Sequence, residues 1–259
     1  MRKGLNRSMR AMLHLTRACA IVFAAAVLIS LLGCKDGTRL LSTDDEIQLG
    51  REAGDDFEQQ YGRDRDQRRN TLMQRIASRI EPAAEPPDYP YDFRVLADDA
   101  VNAVAFPGGR IYFFKGIFDA LNYDEDQLAW VAGHEATHVR RQHASRRLEK
   151  ALGYELLIQL VFGKDSTGEI AGLVAGLVLQ DYGRDNEFEA DRMGLQHAYA
   201  AGYDPTAALA VLQKFSEIQG KDPSDVEILF MTHPGNTDRS DAVKTYLRKQ
   251  NWSGQYFHP

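Results

Sequence analysis

The sequence predicts an α+β fold that is mostly helical, organised around one helix with a His-Glu-x-x-His motif, a small β-hairpin edge and a second, acid-bearing helix. Three observations lead there. Gln127 to Arg141 reads QLAWVAGHEATHVRR, which sets His134, Glu135 and His138 in a run whose apolar residues recur at helical spacing. Tyr91–Leu96, Val101–Phe106 and Arg110–Phe114 read as strands, the last two joined by a Pro107-Gly108-Gly109 turn. Arg184 to Arg192 is rich in acids and continues helically to about Ala200.

At the N-terminus, Arg2, Lys3, Arg7, Arg10 and Arg17 occur with no acid and are followed by the apolar run Ala18 to Leu32. Those 15 residues fall short of the roughly 20 that cross a bilayer, so residues 1–33 read as a signal peptide rather than a spanning helix. Leu31-Leu32-Gly33-Cys34 resembles a bacterial lipobox, in which cleavage precedes the cysteine and lipid is attached to its sulfur. Cys34 is therefore the expected lipidation site, and 34–43 a lipid-anchored tether. Lys35 after the cysteine resembles the sorting signal of lipoproteins in the outer membrane, facing the periplasm. Cys19 leaves with the signal, so no thiol pair remains for a disulfide. The five basic residues leave as well; 26 basic then face 37 acidic residues, and a net charge of −11 argues against a nucleic-acid partner. The expected organisation is one globular domain over 44–251, which carries the motif, and a tail over 252–259. The oligomeric state is not legible.

A helix is predicted from Asp44 to Tyr61, opened by Ser42-Thr43-Asp44; its sparse Ile47, Leu49 and Phe57 suit a helix lying on the domain surface. Leu72, Ile76 and Ile80 predict a second helix over Gln67–Ile80, ended by Glu81-Pro82 and an extended, proline-rich stretch to Pro90. The hairpin Val101–Phe114 is expected next to the motif helix. Such an edge can accept a peptide as an added strand, and a purely structural hairpin has the same spacing.

In the motif helix a four-residue step turns the chain by about 400°, so His134 and His138 point within about 40° of each other and about 6 Å apart in height. Two neutral imidazoles so placed form half of a zinc site. Glu135 sits beside them without being a ligand, placed to take a proton from water. Leu128, Val131 and Ala132 before the motif, with Arg140 and Arg141 after it, suit a helix buried on one face. Helix continues over Arg146–Phe162. His143, five residues past His138, lacks the Gly and His spacing of a third metzincin ligand, since Arg141 and Ala144 stand there, and reads as an exposed or hydrogen-bonded helix residue. Gly172 and Gly176 in the apolar run Ile170–Leu179 suggest close helix packing.

In Arg184–Arg192, Glu187 and Asp191 share a face, whereas Glu189 points about 200° round from Glu187. Taken alone the run is a solvated face. A zinc site also needs a third protein ligand, and a carboxylate 49 residues after His138 supplies one; Asp191, one turn on, would then orient a ligand imidazole.

Asn102–Gly109 with its Pro-Gly-Gly turn, His134–His138, and Glu187-x-x-x-Asp191 followed by Arg192 together resemble the gluzincin zinc metallopeptidases of the HtpX, Oma and BepA type, a Ste-like peptidase family. The likeness spans roughly Asp44 to Leu247, and the short bacterial lipoprotein members are the nearest. It implies a zincin-like fold, one Zn2+ per chain, His134, His138 and Glu187 as metal ligands, Glu135 as the catalytic base, and Asp191 behind a ligand. Met231-Thr232-His233-Pro234 matches a further stretch, whose histidine can bind the metal, so His233 is implied as a fourth ligand that holds the enzyme latent. His233 and Arg239 are the candidates to steady the developing oxyanion. The implied function is a membrane-tethered endopeptidase acting on misfolded or stalled envelope proteins. A zinc-containing periplasmic chaperone or assembly factor for outer-membrane proteins is the alternative. His197 and His258 receive no role, and His258 is expected in a frayed tail.

Overall fold

Ser42, Asp66 and Asp124 each stand one residue before a helix and accept a backbone N–H from its first turn, and these caps fix where three helices of the computed structural model begin. Ser42 does so reciprocally with Asp45, as a capping box. The structure describes residues 41–84, 89–162, 169–219, 233 and 237–259, and for 153–162, 169–171 and 219 the backbone alone. The expected signal segment, Cys34 and the tether up to residue 40 lie outside the described residues, as do Met231, Thr232 and Pro234. In chain order the elements are α1 (Thr43–Tyr61), α2 (Gln67–Ala83), β1 (Asp92–Leu96), β2 (Ala103–Ala105), a 3-10 turn (Pro107–Gly109), β3 (Arg110–Phe114), α3 (Lys115–Ala120), α4 (Glu125–Arg140), α5 (His143–Phe162), α6 (Glu169–Val178), α7 (Arg184–Ala200), α8 (Ala207–Gln219) and α9 (Thr237–Gln250).

The sheet has the order β1-β3-β2. β2 and β3 form the expected antiparallel hairpin, with Ala103 opposite Phe113 and Ala105 opposite Ile111, while β1 runs parallel to β3 in the register Asp92–Arg110 to Leu96–Phe114. Gly108, at φ 73°, makes the turn possible. β3 is thus the central strand, and period-2 alternation sends its residues into two cores. Ile111 and Phe113 join Phe93, Ile76, Leu128, Trp130 and Leu195 on one face; Tyr112 and Phe114 join Leu49, Phe57, Phe106, Val178 and Tyr182 on the other. A strand covered on both faces reads as the unbroken apolar run Ile111–Phe114, rather than as alternation.

α4 is the central helix. Every residue from Leu128 to Val139 is buried, so it is covered all round rather than on one face, because α2, β2, α7 and α8 all pack on it. Its closest crossing is with α7, and glycine on both helices allows it. A Cβ at Gly133 would come within 3.1 Å of the Gly194 carbonyl oxygen, and one at Gly194 within 3.0 Å of the His134 nitrogen. This close approach brings the acids of α7 to the histidines of α4.

Several expectations need correction. α2 runs to Ala83, through Pro82, instead of stopping at Ile80: the missing Pro82 N–H falls in the last turn, and the Ala84 N–H still reaches the Ile80 carbonyl at 2.7 Å. α1 lies less on the surface than its composition suggests, since Leu49, Ala53, Phe57 and even Glu46 are buried. Glu46 accepts a hydrogen bond from Tyr89 Oη. Among the described residues nothing lies within 4 Å of a Cβ placed at Gly172 or Gly176, so no close helix packing is seen there. The tail is not frayed. Trp252 stacks on Tyr199 with ring centroids 4.2 Å apart, and the Gln255 N–H donates to Asp204 at 2.7 Å, although His258 itself is exposed. α3 and α8 went unpredicted.

Between α1 and α2, Asp64 accepts from Arg69 Nε at 2.7 Å and Nη2 at 3.1 Å, and Arg69 reaches Tyr123 Oη at 3.0 Å. Burial pushes the Asp64 carboxyl up, but the Arg69 hydrogen bonds and charge, together with backbone N–H groups of Arg65 and Asp66, hold the carboxyl below its ordinary value. A depressed carboxylate stabilises the fold above the unfolded-state pKa of about 3.9, and that contribution disappears as pH falls through the folded value. Asp64→Asn is expected to lower stability by about 1–3 kcal/mol at neutral pH. Urea unfolding of both proteins at neutral pH and near pH 3 checks this; the gap between them narrows in acid.

Candidate metal centre

α4 presents His134 and His138 on one face, and Glu187 enters from the first turn of α7, where an acid also suits the helix N-terminus. His233 completes the group. One donor atom from each of His134, His138, Glu187 and His233 lies within 4.8 Å of all the others, and all four residues are buried. The His134 and His138 Nε2 atoms are 3.0 Å apart; His233 Nδ1 is 3.3 Å from His134 Nε2 and 3.0 Å from Glu187 Oε1. Glu187 oxygens lie 3.6 Å from His134 Nε2 and 3.5 Å from His138 Nε2.

These separations fit a cation. Donors about 2.0–2.1 Å from a tetrahedral zinc ion stand roughly 3.3–3.4 Å from one another. A neutral imidazole carries one donor and one acceptor nitrogen, so two ring nitrogens facing each other beside a third are poorly served by protons alone. The electrostatics agree. Burial, then the crowding of His134, hold the His138 imidazole well below its ordinary value. Glu187, which burial would raise, is held well below the carboxylate range by His233 and Arg239. His233, which burial would lower, is pushed up to about 10 by Glu187 and Glu135.

The neighbours of the group are equally specific. Glu135 is buried, with Oε1 3.2 Å from His233 Nε2 and Oε2 without a hydrogen-bond partner among the described residues. Asp191 Oδ1 lies 3.1 Å from His134 Nδ1, behind the imidazole. Arg239, from the start of α9, donates to Asp191 from Nε at 2.8 Å and Nη2 at 2.6 Å, and its Nη1 is 2.9 Å from Glu187 Oε2. Its guanidinium thus lies against both carboxylates.

Two residues were missed as parts of this centre. His143 is buried and hydrogen-bonded, with Nδ1 2.8 Å from His138 Nδ1. On a continuous helix a five-residue step would turn it about 140° away from His138; instead α4 ends and Gln142, at φ 58°, turns the chain back. Glu189 does point away from the cluster as expected, and meets Arg141 and His143. Tyr182 stacks on His138 at 4.1 Å between centroids, and its hydroxyl donates to the Ala105 carbonyl on β2 at 3.1 Å. Only the proximity of His143 to the motif was a signal in the sequence. His197 is buried 3.1 Å from the Ala83 carbonyl, apart from the cluster.

The model of peptidase family M48 matches residues 64–247, a stretch containing α4, α7, His233 and Arg239. The chain belongs to peptidase family M48. The match begins 20 residues later than the resemblance over Asp44–Leu247 implied. Members of this family are zinc metallopeptidases, and the buried His/Glu cluster fits one such ion per chain. The mostly helical architecture with a small mixed sheet is that of a zincin-like metallopeptidase. Among its relatives are the beta-barrel assembly-enhancing protease of Escherichia coli (strain K12), 30% identical over 180 residues that cover 64% of this chain and 35% of the relative. The protein of that name in Yersinia pestis is 29% identical over 187 residues, covering 67% and 37%. The mitochondrial metalloendopeptidase OMA1 of Arabidopsis thaliana is 31% identical over 154 residues, covering 59% and 31%. The chain thus spans about a third of the length of these relatives. No helix among the described residues is long and apolar enough to cross a membrane.

Proposed function

We propose that the chain is a zinc-dependent endopeptidase of the bacterial cell envelope, tethered to the outer membrane through lipid on Cys34 and facing the periplasm, that cleaves misfolded or stalled envelope proteins. The organisation behind it is the one read from the sequence: signal 1–33, tether 34–43, and a catalytic domain from 44, into which the packed tail 252–259 is now included. The observation that carries the catalytic part is the buried convergence of His134, His138, Glu187 and His233 with Glu135 at its side.

In this reading His134, His138 and Glu187 hold the metal. A bound zinc ion supplies Lewis acidity, polarising the scissile carbonyl and making water acidic near neutral pH. Glu135 takes a proton from the attacking water and delivers it to the leaving amine. Asp191 holds His134 in orientation, and Arg239 holds Glu187 and Asp191 together. An extended substrate adds along β2, the outer strand of the sheet next to α4, in place of the Tyr182 contact to the Ala105 carbonyl, which recruits main chain without demanding one sequence.

His233 supports a second reading. As a fourth donor it closes the coordination set, whereas catalysis needs an open position. Either a client displaces His233, or the closed state is the working one and the protein acts as an assembly chaperone. Incubating the purified mature chain with an unfolded outer-membrane β-barrel protein separates the two. The endopeptidase reading expects internal cleavage that stops with chelator and returns with zinc. Binding without cleavage, with or without chelator, contradicts it and favours the chaperone.

A further inference from the structure

Besides the contact of His134 with Asp191, a second line of contacts runs outward from His138. His138 Nδ1 and His143 Nδ1 are 2.8 Å apart, and both residues are buried. His143 Nε2 lies 3.5 Å from Glu189 Oε2, while Glu189 Oε1 takes Arg141 Nε at 2.9 Å. We propose that His143 is the positioning residue of His138, accepting its Nδ1 proton, with Glu189 holding His143 in the tautomer that can do so. This rests on the reading of His138 as a metal ligand.

The proton assignment follows from valence. His138 Nε2 faces His134 Nε2 at 3.0 Å and Glu187 at 3.5 Å, so its lone pair points to the cation position and its single proton sits on Nδ1. That Nδ1–H has one nitrogen in front of it, Nδ1 of His143, which must be unprotonated to accept. The His143 proton is then on Nε2, the atom 3.5 Å from the Glu189 carboxylate, an electrostatic contact longer than a formed hydrogen bond. Arg141 keeps that carboxylate in place. Every group in the line has one compatible protonation, and reversing any member leaves two donors or two lone pairs in contact.

The backbone is bent to make this contact. Gln142 adopts φ 58°, a left-handed conformation that few non-glycine residues adopt, and it is what brings His143 back over His138. His143 is not itself a ligand, because its Nδ1 faces the ring nitrogen of His138 opposite the cation side. The two imidazoles of the motif are therefore oriented by unlike partners, a carboxylate behind His134 and a neutral imidazole behind His138. Partners of this kind contribute to metal affinity through ligand orientation and basicity.

The test compares His143→Leu, His143→Asn and Glu189→Gln in the mature chain, with His138→Ala as control. Zinc dissociation constants are measured by competition with a chromophoric chelator, and the melting of each chelator-treated protein is recorded alongside. His143→Leu is expected to weaken zinc binding about 10–100-fold. His143→Asn, whose amide oxygen can occupy the acceptor position, is expected to stay within about threefold of the parent, and Glu189→Gln to fall between them. Equal losses in the Leu and Asn variants would reduce His143 to packing and overturn the proposal, as would no loss in either. Should the Leu variant not fold, an Asn variant bound as weakly as Glu189→Gln or weaker overturns it, and parent-like Asn with weakened Glu189→Gln sustains it. His138→Ala keeping parental affinity would overturn the ligand reading itself, which a failure confined to the His143 variants would leave standing.

Discussion

Replacing Glu135 by Gln is expected to leave zinc bound while cleavage of an unfolded client falls by about 10²–10⁴-fold, the share that a positioned general base contributes. The amide has nearly the carboxylate's shape, so packing around this buried position is kept. What it lacks is a lone pair able to take a proton from water. Glu135 contributes no donor atom to the cluster formed by His134, His138, Glu187 and His233, so metal content should not change. Measuring zinc per chain and initial rates on the same preparations checks both halves together. A Gln variant that cuts at the parental rate would remove Glu135 from the chemistry.

Arg239→Met is expected to have the largest effect on stability. Asp191 and Glu187 are each about 2% exposed, and the Arg239 guanidinium lies against both. Burial pushes the Asp191 carboxyl up, and Arg239, followed by His134, brings it back below its ordinary value. Removing one partner of a buried ion pair leaves uncompensated charge and costs about 3–5 kcal/mol. Two carboxylates share this one cation, so chelator-treated Arg239→Met should unfold at markedly lower denaturant than the parent. Arg239→Lys should recover only part, because an ammonium cannot reproduce the fork that meets both Asp191 oxygens. Denaturant midpoints of the three proteins decide it; coincident midpoints would mean that the carboxylates are protonated and need no cation.

Much of the site was legible because helical spacing is a strong geometric rule. His134 and His138 share a face at four residues, and Glu187 and Asp191 do the same, so each pair could be placed without a structure. How closely the two helices approach was not legible. It depends on Gly133 and Gly194 meeting across α4 and α7, 61 residues apart in the chain. His143 was read as an exposed or hydrogen-bonded helix residue and is a hydrogen-bonded one, but its return onto His138 was not legible because nothing local announces a left-handed Gln142. Tyr182 was missed for a related reason: a tyrosine after an apolar helix carries no mark of the imidazole it stacks on. In the sheet, the hairpin Ala103–Phe114 followed from its turn chemistry, whereas the parallel β1–β3 pairing is non-local and left only the two-sided burial of β3 as a trace. Arg239 was placed near the site, but its role turns on carboxylates 48 and 52 residues earlier in the chain.

The most direct measurement is the metal content of the mature protein purified without chelator, alongside Glu187→Ala and Glu189→Ala, dialysed against excess zinc and then against metal-free buffer. One zinc per chain is expected in the parent, close to one in Glu189→Ala and almost none in Glu187→Ala, because Glu187 meets His134, His138 and His233 while Glu189 faces Arg141 and His143. A parent without stoichiometric metal, or equal occupancy in the two variants, would contradict a zinc centre built from the motif histidines and Glu187.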